Sequence, residues 1–338
     1  MALTDVANST PGQTSAMSLY THAERWSAAA LTVILTVTAV AIGAPARAIV
    51  GGTVAKTIDH PYYVQLRIYY HEISDGHAYC GGSVIAPDWV LTAAHCVAKK
   101  GYTVRDLTVE AHGRHALVKQ IVVHPLWTGK TTDGHDLALL QTAPGTLAKF
   151  GAIPVQTGAP FDPAAYAPGT PVTMMGRGRL FWFVYNTADD FYTVDSDLRS
   201  DGYMDDIFNP LFGPDHWIEP LMIGAGKQWE TVCVGDSGGP LVTTRGSRIV
   251  QLGVASFTKA CDVPGAFAEL NGPQLAWLAT RVPSIMDNWG CTALRGMLPG
   301  TPKATYTLSR TSAGGQDGPY RWSIECLDIP KLPDTVLG

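Results

Sequence analysis

The chain has 338 residues, which at roughly 100–200 residues per domain predicts two domains or one two-lobed unit. Hydrophobic residues make up 46% of it and charged residues 16%, so a real core can be buried and global disorder is excluded. The formal charge of −5 provides no basic excess to neutralise phosphates, and nucleic-acid binding is therefore not expected.

The amino terminus, residues 1–48, reads as a secretory signal peptide. Residues 26–46 carry no charge, and they lead through Pro45 into the small-x-small triplet Ala46-Arg47-Ala48. This pattern is typical of a signal peptide that is cut after Ala48. An uncleaved membrane anchor is the alternative, because the apolar run is just long enough to span a bilayer. We expect cleavage, which gives a secreted protein with no stable membrane association and with disulfides permitted.

Four short motifs follow in chain order. They are Ile-Val-Gly-Gly at 49–52, Leu-Thr-Ala-Ala-His-Cys at 91–96, Asp-Leu-Ala-Leu-Leu at 136–140 and Gly-Asp-Ser-Gly-Gly-Pro at 235–240. Taken singly, each has an ordinary explanation, such as a turn aspartate or a structural histidine. Accident does not explain all four in this order, with 41 residues from His95 to Asp136 and 101 from Asp136 to Ser237.

This constellation resembles the chymotrypsin/trypsin-like family of serine proteases, in the form of a secreted, bacterial-type member, over about 49–289. The resemblance implies an all-β fold of two six-stranded antiparallel β-barrels and a catalytic triad of His95, Asp136 and Ser237. In that mechanism Ser237 is the nucleophile, His95 carries its proton, and Asp136 fixes the histidine tautomer. The backbone N–H groups of Gly235 and Ser237 would form the oxyanion hole.

The resemblance also gives the new amino terminus a role. The free amine of Ile49 would pair with the carboxylate of Asp236 and hold the Gly235 loop in its active shape, because a buried carboxylate without a partner is costly. Cutting after the basic Arg47 would leave one extra residue ahead of Ile49, whereas cutting after Ala48 frees it. We therefore hypothesise that signal-peptide cleavage itself matures the enzyme.

The even number of cysteines suggests disulfides, and no pair has the C-x-x-C spacing of zinc or redox motifs. The resemblance implies that two bridges lie within the protease domain, while a third would close the carboxy-terminal tail. These pairs are Cys80–Cys96, Cys233–Cys261 and Cys291–Cys326. No metal site and no cofactor are predicted.

The resemblance places four residues at the primary specificity pocket. Thr231, six residues before the nucleophile, would stand at its base and is neutral, so a substrate Arg or Lys would find no partner there. Gly265 leaves space, Thr258 narrows the entrance, and Ser256 resembles the serine that helps to hold the buried triad acid. We predict cleavage after medium apolar or aromatic residues, although Asp262 could place an acid near the pocket.

The abundant glycine and proline favour many short strands and turns over long helices. The protease domain is expected at 49–290, with the first barrel at 49–160, the second at 161–270 and a helix at 273–289. Residues 291–338 form an extension in which 304–309 and 320–325 alternate like the strands of a hairpin. The segment 181–217, with eight aspartates but no EF-hand spacing, is interpreted as a solvated surface loop.

We predict a monomeric, secreted serine endopeptidase that acts on protein or peptide substrates through an acyl-enzyme. One alternative is a catalytically inactive binding protein on the same scaffold, because fold alone does not fix function. Another is an esterase, since the acyl-transfer site would serve both reactions. The order His, Asp, Ser argues against an α/β-hydrolase, even though residues 235–239 fit its Gly-x-Ser-x-Gly pattern.

Overall fold

The computed structural model describes residues 49–74, 76–159, 162–179, 190–213 and 216–285, together with the backbone of 304–308 and 320–324. The predicted signal peptide and the predicted Cys291–Cys326 bridge lie outside these residues. Within the described part of the chain, no helix combines the length and apolar character needed to cross a bilayer.

Short strands dominate the structure. The strands are β1 Thr53–Val54, β2 Tyr63–Tyr70, β3 His77–Ala86, β4 Trp89–Thr92, β5 Val104–Ala111, β6 Arg114–Leu117, β7 Gln120–Val123, β8 Ala138–Gln141, β9 Gln156–Thr157, β10 Pro171–Gly176, β11 Tyr192–Arg199, β12 Met222–Ala225, β13 Pro240–Arg245, β14 Arg248–Phe257, β15 Gly265–Glu269, β16 Ala304–Leu308 and β17 Tyr320–Ile324. The α-helices are α1 Ala94–Val97, α2 Thr146–Lys149, α3 Asp201–Phe212 and α4 Gly272–Arg281.

The first lobe is an antiparallel sheet in the order β6-β5-β2-β3-β4-β8-β7, which curls into a half-barrel. Side chains alternate along β2, where Leu66 and Ile68 are fully buried inside the sheet while Arg67 and Tyr69 face outward and are half-buried. This two-residue period follows from the pleat of a strand and explains how one face encloses an apolar core.

The second lobe is a closed six-stranded barrel. Its strands run β11-β10-β13-β14-β15-β12, and β12 closes the circle by pairing with β11. The predicted all-β, two-lobed fold is confirmed. Two strands cross the predicted boundary at residue 160, because β1 pairs with β11 and β9 pairs with β14. The amino-terminal segment is therefore carried into the second lobe.

A buried polar contact joins the two lobes. Ser83 Oγ on β3 donates to Gln251 Oε1 on β14 at 2.7 Å, and both residues are fully buried. Gln251 Nε2 in turn donates to the carbonyl of Gly253 at 3.1 Å. Because buried polar groups need partners, these bonds favour one relative placement of the lobes.

The interpretation of 181–217 as a surface loop is wrong for its described residues. They form β11 and the twelve-residue helix α3, which Ser200 caps by accepting a hydrogen bond from the Tyr203 N–H at 3.3 Å. Met204 and Phe208, four residues apart, are fully buried on one helix face. Asp201 is also tied into the structure, since Trp217 Nε1 donates to its carboxylate at 2.8 Å.

The carboxy-terminal helix is shorter than the predicted 273–289. Asn271 caps α4 by accepting from the Gly272 N–H at 2.9 Å, and the helix ends at Arg281. Pro283 explains the early end, because the residue before a proline is disfavoured in helical conformation. Gln274 Nε2 on α4 donates to the carbonyl of Gly134 at 2.8 Å, which ties the helix to the first lobe.

Strands β16 and β17 form the predicted antiparallel hairpin, with Ala304 opposite Ile324 and Leu308 opposite Tyr320. The connecting turn lies outside the described residues. Strand β17 contacts α4.

Candidate active site

Strand pairing brings His95 and Asp136 together. Thr92 at the end of β4 lies opposite Ala138 at the start of β8, so the residues just after β4 and just before β8 are neighbours. His95 sits on the one-turn helix α1, where its Nδ1 lies 2.6 Å from Asp136 Oδ2. Its backbone N–H also donates to Asp136 Oδ1 at 2.8 Å.

The carboxylate of Asp136 is fully buried and accepts a third hydrogen bond. Ser256 Oγ, on β14 of the second lobe, donates to Asp136 Oδ2 at 2.5 Å. The Asp136 carboxylate can accept from the His95 ring only if Nδ1 carries the proton. The geometry therefore leaves His95 Nε2 as the basic nitrogen, while the ring stays partly accessible at 26% exposure.

The loop that carries Ser237 is held from both lobes. Gly81 N–H on β3 donates to the Ser237 carbonyl at 2.7 Å, and Gly238 N–H donates to the Ala255 carbonyl at 2.7 Å. Gly235 has φ +101°, a left-handed conformation that favours glycine. The backbone on either side of Ser237 is thus fixed by hydrogen bonds.

The Cys80–Cys96 disulfide lies between His95 and Ser237. Cys96 Sγ is 3.9 Å from His95 Nε2 and 3.8 Å from the Ser237 carbonyl oxygen. Cys80, His95 and Cys96 bring potential metal ligands together, but the two sulfurs are bonded to each other and offer no thiolate. The cluster is therefore a structural brace and not a metal site.

Asp236, next to Ser237, is fully buried. Burial raises the pKa of its carboxyl group to about 7, against the opposing effect of backbone hydrogen bonds from Cys233 and Gly178. These N–H groups donate to Asp236 Oδ2 at 2.8 Å and Oδ1 at 2.7 Å, respectively. A carboxyl group in this setting needs a cation if it is to stay charged at neutral pH.

The Ile49 side chain is buried in the second lobe core. The next residue, Val50, exchanges two backbone hydrogen bonds with Thr231, at 3.1 and 3.2 Å. Val50 also packs with Cys233 and Cys261, which form the second disulfide. This arrangement places the predicted new amino terminus beside the segment that leads to Ser237.

A cavity of about 170 Å³ opens beside Ser237. Residues 232–234 form one wall and 255–258 the other, and the latter include Ser256 and Thr258. Thr231 and Gly265, which were predicted at the same pocket, are not among the residues that line the cavity. Thr231 is fully buried, and its Oγ1 is 3.3 Å from the position that a Gly265 Cβ would occupy. None of the described residues that line this cavity carries a carboxylate. Asp262 is not among them.

A family model described as Trypsin matches residues 49–278, which contain the whole site. The chain belongs to the trypsin family. It is a serine-type endopeptidase, and members of the family act on protein or peptide substrates.

Relatives match along most of their own length. Serine protease 28 of Mus musculus is 28% identical over 243 residues, which cover 68% of this chain and 87% of the relative. Trypsin of Saccharopolyspora erythraea is 30% identical over 234 residues, covering 64% and 89%. Tryptase of Mus musculus is 32% identical over 231 residues, covering 64% and 81%.

One contact beside the site was not predicted from the sequence. Arg177 Nη1 lies 3.0 Å from Gln65 Oε1 and 3.3 Å from Glu110 Oε1. The signal available in the sequence was an arginine between two glycines. Its partners could not be named in advance, because they lie 112 and 67 residues away.

Proposed function

We propose that this trypsin-family enzyme is secreted and hydrolyses peptide bonds through a triad of Ser237, His95 and Asp136. The observation that carries the proposal is the hydrogen-bonded His95–Asp136 pair beside the Ser237 loop, at the mouth of a cavity. An inactive binding protein would have no need for a buried carboxylate that sets the tautomer of a partly exposed histidine.

In the acylation step, Ser237 Oγ forms a bond to the scissile carbonyl carbon and passes its proton to His95 Nε2. Asp136 stabilises the resulting imidazolium through Nδ1–H. When the C–N bond breaks, the leaving amine takes that proton from Nε2. Water then repeats the sequence on the acyl-enzyme and frees Ser237.

The backbone N–H groups of Gly235 and Ser237 are proposed to stabilise the negative charge on the carbonyl oxygen. Fixed donors cost no reorganisation during the reaction, and loss of one typically lowers kcat about 10²- to 10³-fold. The hydrogen bonds that fix the Ser237 loop support this role, because an oxyanion hole needs a rigid backbone.

Maturation is proposed to occur when signal peptidase cuts after Ala48. The new ammonium group of Ile49 would supply the cation that the buried Asp236 lacks in the continuous chain. The burial of Ile49 and the pairing of Val50 with Thr231 support this, since they bring the segment to the Ser237 loop.

The cavity supports cleavage after apolar residues. A substrate Arg or Lys would lose its hydration inside the cavity, where the described lining offers no carboxylate in return. Thr231, next to the lining residue Val232, is neutral, and its buried Oγ1 has no hydrogen-bond partner among the described residues. The pocket thus gives a cation no compensation, whereas medium apolar or aromatic side chains need none.

The test is a digest of a peptide library with secreted protein, with Ser237→Ala as the control. We expect cleavage after apolar or aromatic residues, and loss of activity by several orders of magnitude in the control. Sequencing of the secreted protein should give Ile49 as the first residue.

Each alternative has its own outcome in this experiment. Absence of Ser237-dependent cleavage of any substrate would favour the binding protein, and turnover of esters without peptides would favour the esterase. Cleavage mainly after Arg or Lys would overturn the pocket argument. A first residue other than Ile49 would contradict maturation by signal peptidase.

A further inference from the structure

Arg177 connects the two lobes next to the site. It is the first residue after β10 in the second lobe, while Gln65 on β2 and Glu110 on β5 are opposite each other in the first lobe. We call this set the Arg177 bridge. Arg177 and Glu110 are about one-fifth exposed and Gln65 is 9% exposed. The partly buried ion pair is less screened by water than a surface pair.

The backbone on either side of Arg177 packs against Asp236. A Cβ added at Gly176 or Gly178 would overlap the Asp236 carboxyl group, so this close approach requires glycine at both positions. Gly178 N–H also donates to Asp236 Oδ1 at 2.7 Å. The segment is therefore held by its side chain in the first lobe and by its backbone on Asp236.

Asp236 is fixed between two backbone donors. Cys233 N–H holds one carboxylate oxygen and Gly178 N–H holds the other, while Asp236 itself separates Gly235 from Ser237. A shift of the Gly178 segment would leave a buried carboxylate oxygen without its donor, which is costly. The carboxyl group would have to move, and the two adjoining oxyanion N–H groups would move with it.

We propose that Arg177 is a positioning residue for the oxyanion hole, acting through Gly178 and Asp236. This inference rests on the proposed function, since it assumes that the N–H groups of Gly235 and Ser237 bind the reacting oxygen. The role depends on the charge and length of Arg177, because its guanidinium reaches two acceptors in the first lobe at once.

The first variant to measure is Arg177→Met, which keeps much of the side-chain length and removes the charged donors. We expect kcat to fall about 10- to 100-fold, because small misplacements of catalytic groups have effects of that size. KM for a short peptide should change less than about threefold, since the cavity itself is untouched. Affinity for a peptidyl boronate, which presents a tetrahedral oxyanion, should fall in proportion to kcat/KM.

Glu110→Gln probes the same bridge from the first lobe and retains side-chain size. We expect a smaller loss of kcat than in Arg177→Met, and little further loss when both substitutions are combined, because the residues act as a unit. If Arg177→Met does not fold, the kcat and boronate affinity of Glu110→Gln alone test whether the Arg177 bridge positions the oxyanion hole.

Arg245→Met is the matched control. Arg245 makes two hydrogen bonds to the Asp162 carboxylate, at 2.8 and 2.9 Å, on a part of the second lobe away from Ser237. It should keep wild-type kcat and boronate affinity. Thermal unfolding of all variants separates a loss of stability from a loss of activity per folded molecule.

The outcomes distinguish this inference from the proposed function. A wild-type enzyme without Ser237-dependent turnover would refute the proposed function. With an active wild type, the inference is overturned by a kcat within about twofold of wild type in folded Arg177→Met, or in Glu110→Gln if that protein does not fold. It is also overturned if Arg245→Met loses kcat and boronate affinity to the same extent.

Discussion

The Asp136 carboxylate accepts hydrogen bonds from two separate elements, helix α1 and strand β14. It accepts from the backbone and ring of His95 and from Ser256, and these three donors leave no solvent contact for its oxygens. Ser256 belongs to the second lobe, so the proposed orienting acid is fixed across the cleft. The motif around Asp136 indicated the acid, and the family resemblance had already pointed to Ser256 as a residue that helps to hold it.

Asp136→Asn should lower kcat by about 10⁴-fold, because the buried acid of a Ser-His-Asp triad fixes the histidine tautomer on which proton transfer depends. An amide in place of the carboxylate would accept from His95 less well and favour the tautomer with the proton on the wrong ring nitrogen. The measurement is kcat on a peptide, with urea unfolding to establish that the variant folds. A kcat within tenfold of wild type would contradict the proposed role.

The residues of the site differ in how far they could be predicted. His95, Asp136 and Ser237 stand in short motifs whose order is informative, and the structure brings the first two into direct contact. Arg177 and Glu110 stand in no motif. Their contact depends on how β10 meets β2 and β5 from the other lobe, and local sequence does not encode that placement.

Helix α3 shows why the segment with many aspartates was misread. Asp201 and Asp205 face partners within the fold, Trp217 and Asn209, so they do not mark a solvated loop. The helical period of the buried residues was masked by aromatic and acidic residues around it.

Phe208→Ala should lower the free energy of unfolding by about 3–5 kcal/mol, because it removes a fully buried aromatic side chain. Phe208 also contacts the cavity-lining Phe257 edge-on, with ring centroids 5.1 Å apart, so KM for apolar substrates should rise as well. Tyr203→Ala on the same helix is the control, since Tyr203 is 47% exposed. The Tyr203→Ala substitution should lower the free energy of unfolding by about 1 kcal/mol or less.

Urea unfolding measures both changes in free energy, and peptide kinetics measures KM. Equal losses of stability in Phe208→Ala and Tyr203→Ala would show that α3 does not pack through Phe208. An unchanged KM in folded Phe208→Ala would show that the wall at Phe257 holds without this support.

The buried His124 and the half-buried Glu219 give the whole molecule opposing responses to pH. Burial, and then the charge of His135, lower the pKa of His124 to about 4, and the two rings stack at 4.8 Å. A hydrogen bond with Asp201, then burial and the charges of Asp201 and Asp205, raise the pKa of Glu219 to about 8. His124 is thus held neutral in the first lobe, and Glu219 is held protonated in the second.

The two pKa shifts change the free energy of unfolding in opposite directions as pH rises. The unfolded chain binds the proton of His124 at a pKa near 6.5, so this residue lowers stability as pH falls from 6.5 towards 4. The folded chain retains the Glu219 proton above its ordinary pKa of 4.5, so this residue lowers stability as pH rises from 4.5 through 8.

His124→Asn should therefore flatten the loss of stability on the acid side, and Glu219→Gln should flatten the loss on the alkaline side. The measurement is urea unfolding across pH 4 to 8.5, the range set by the two shifts, in a Ser237→Ala background that prevents self-digestion. Each variant is the control for the other. If a variant shows the same slope of unfolding free energy against pH as the Ser237→Ala parent, the fold does not hold the neutral form of the substituted residue.

The division of the proposed triad between lobes has a consequence for the intact chain. His95 and Asp136 come from one half of the polypeptide and Ser237 from the other, and the halves are joined through Ser83 and Gln251 as well as covalently. A nick in the linker between β9 and β10 would sever the backbone without separating these groups. Activity after such a nick would report docking of two complementary fragments, and neither fragment alone could carry out the chemistry.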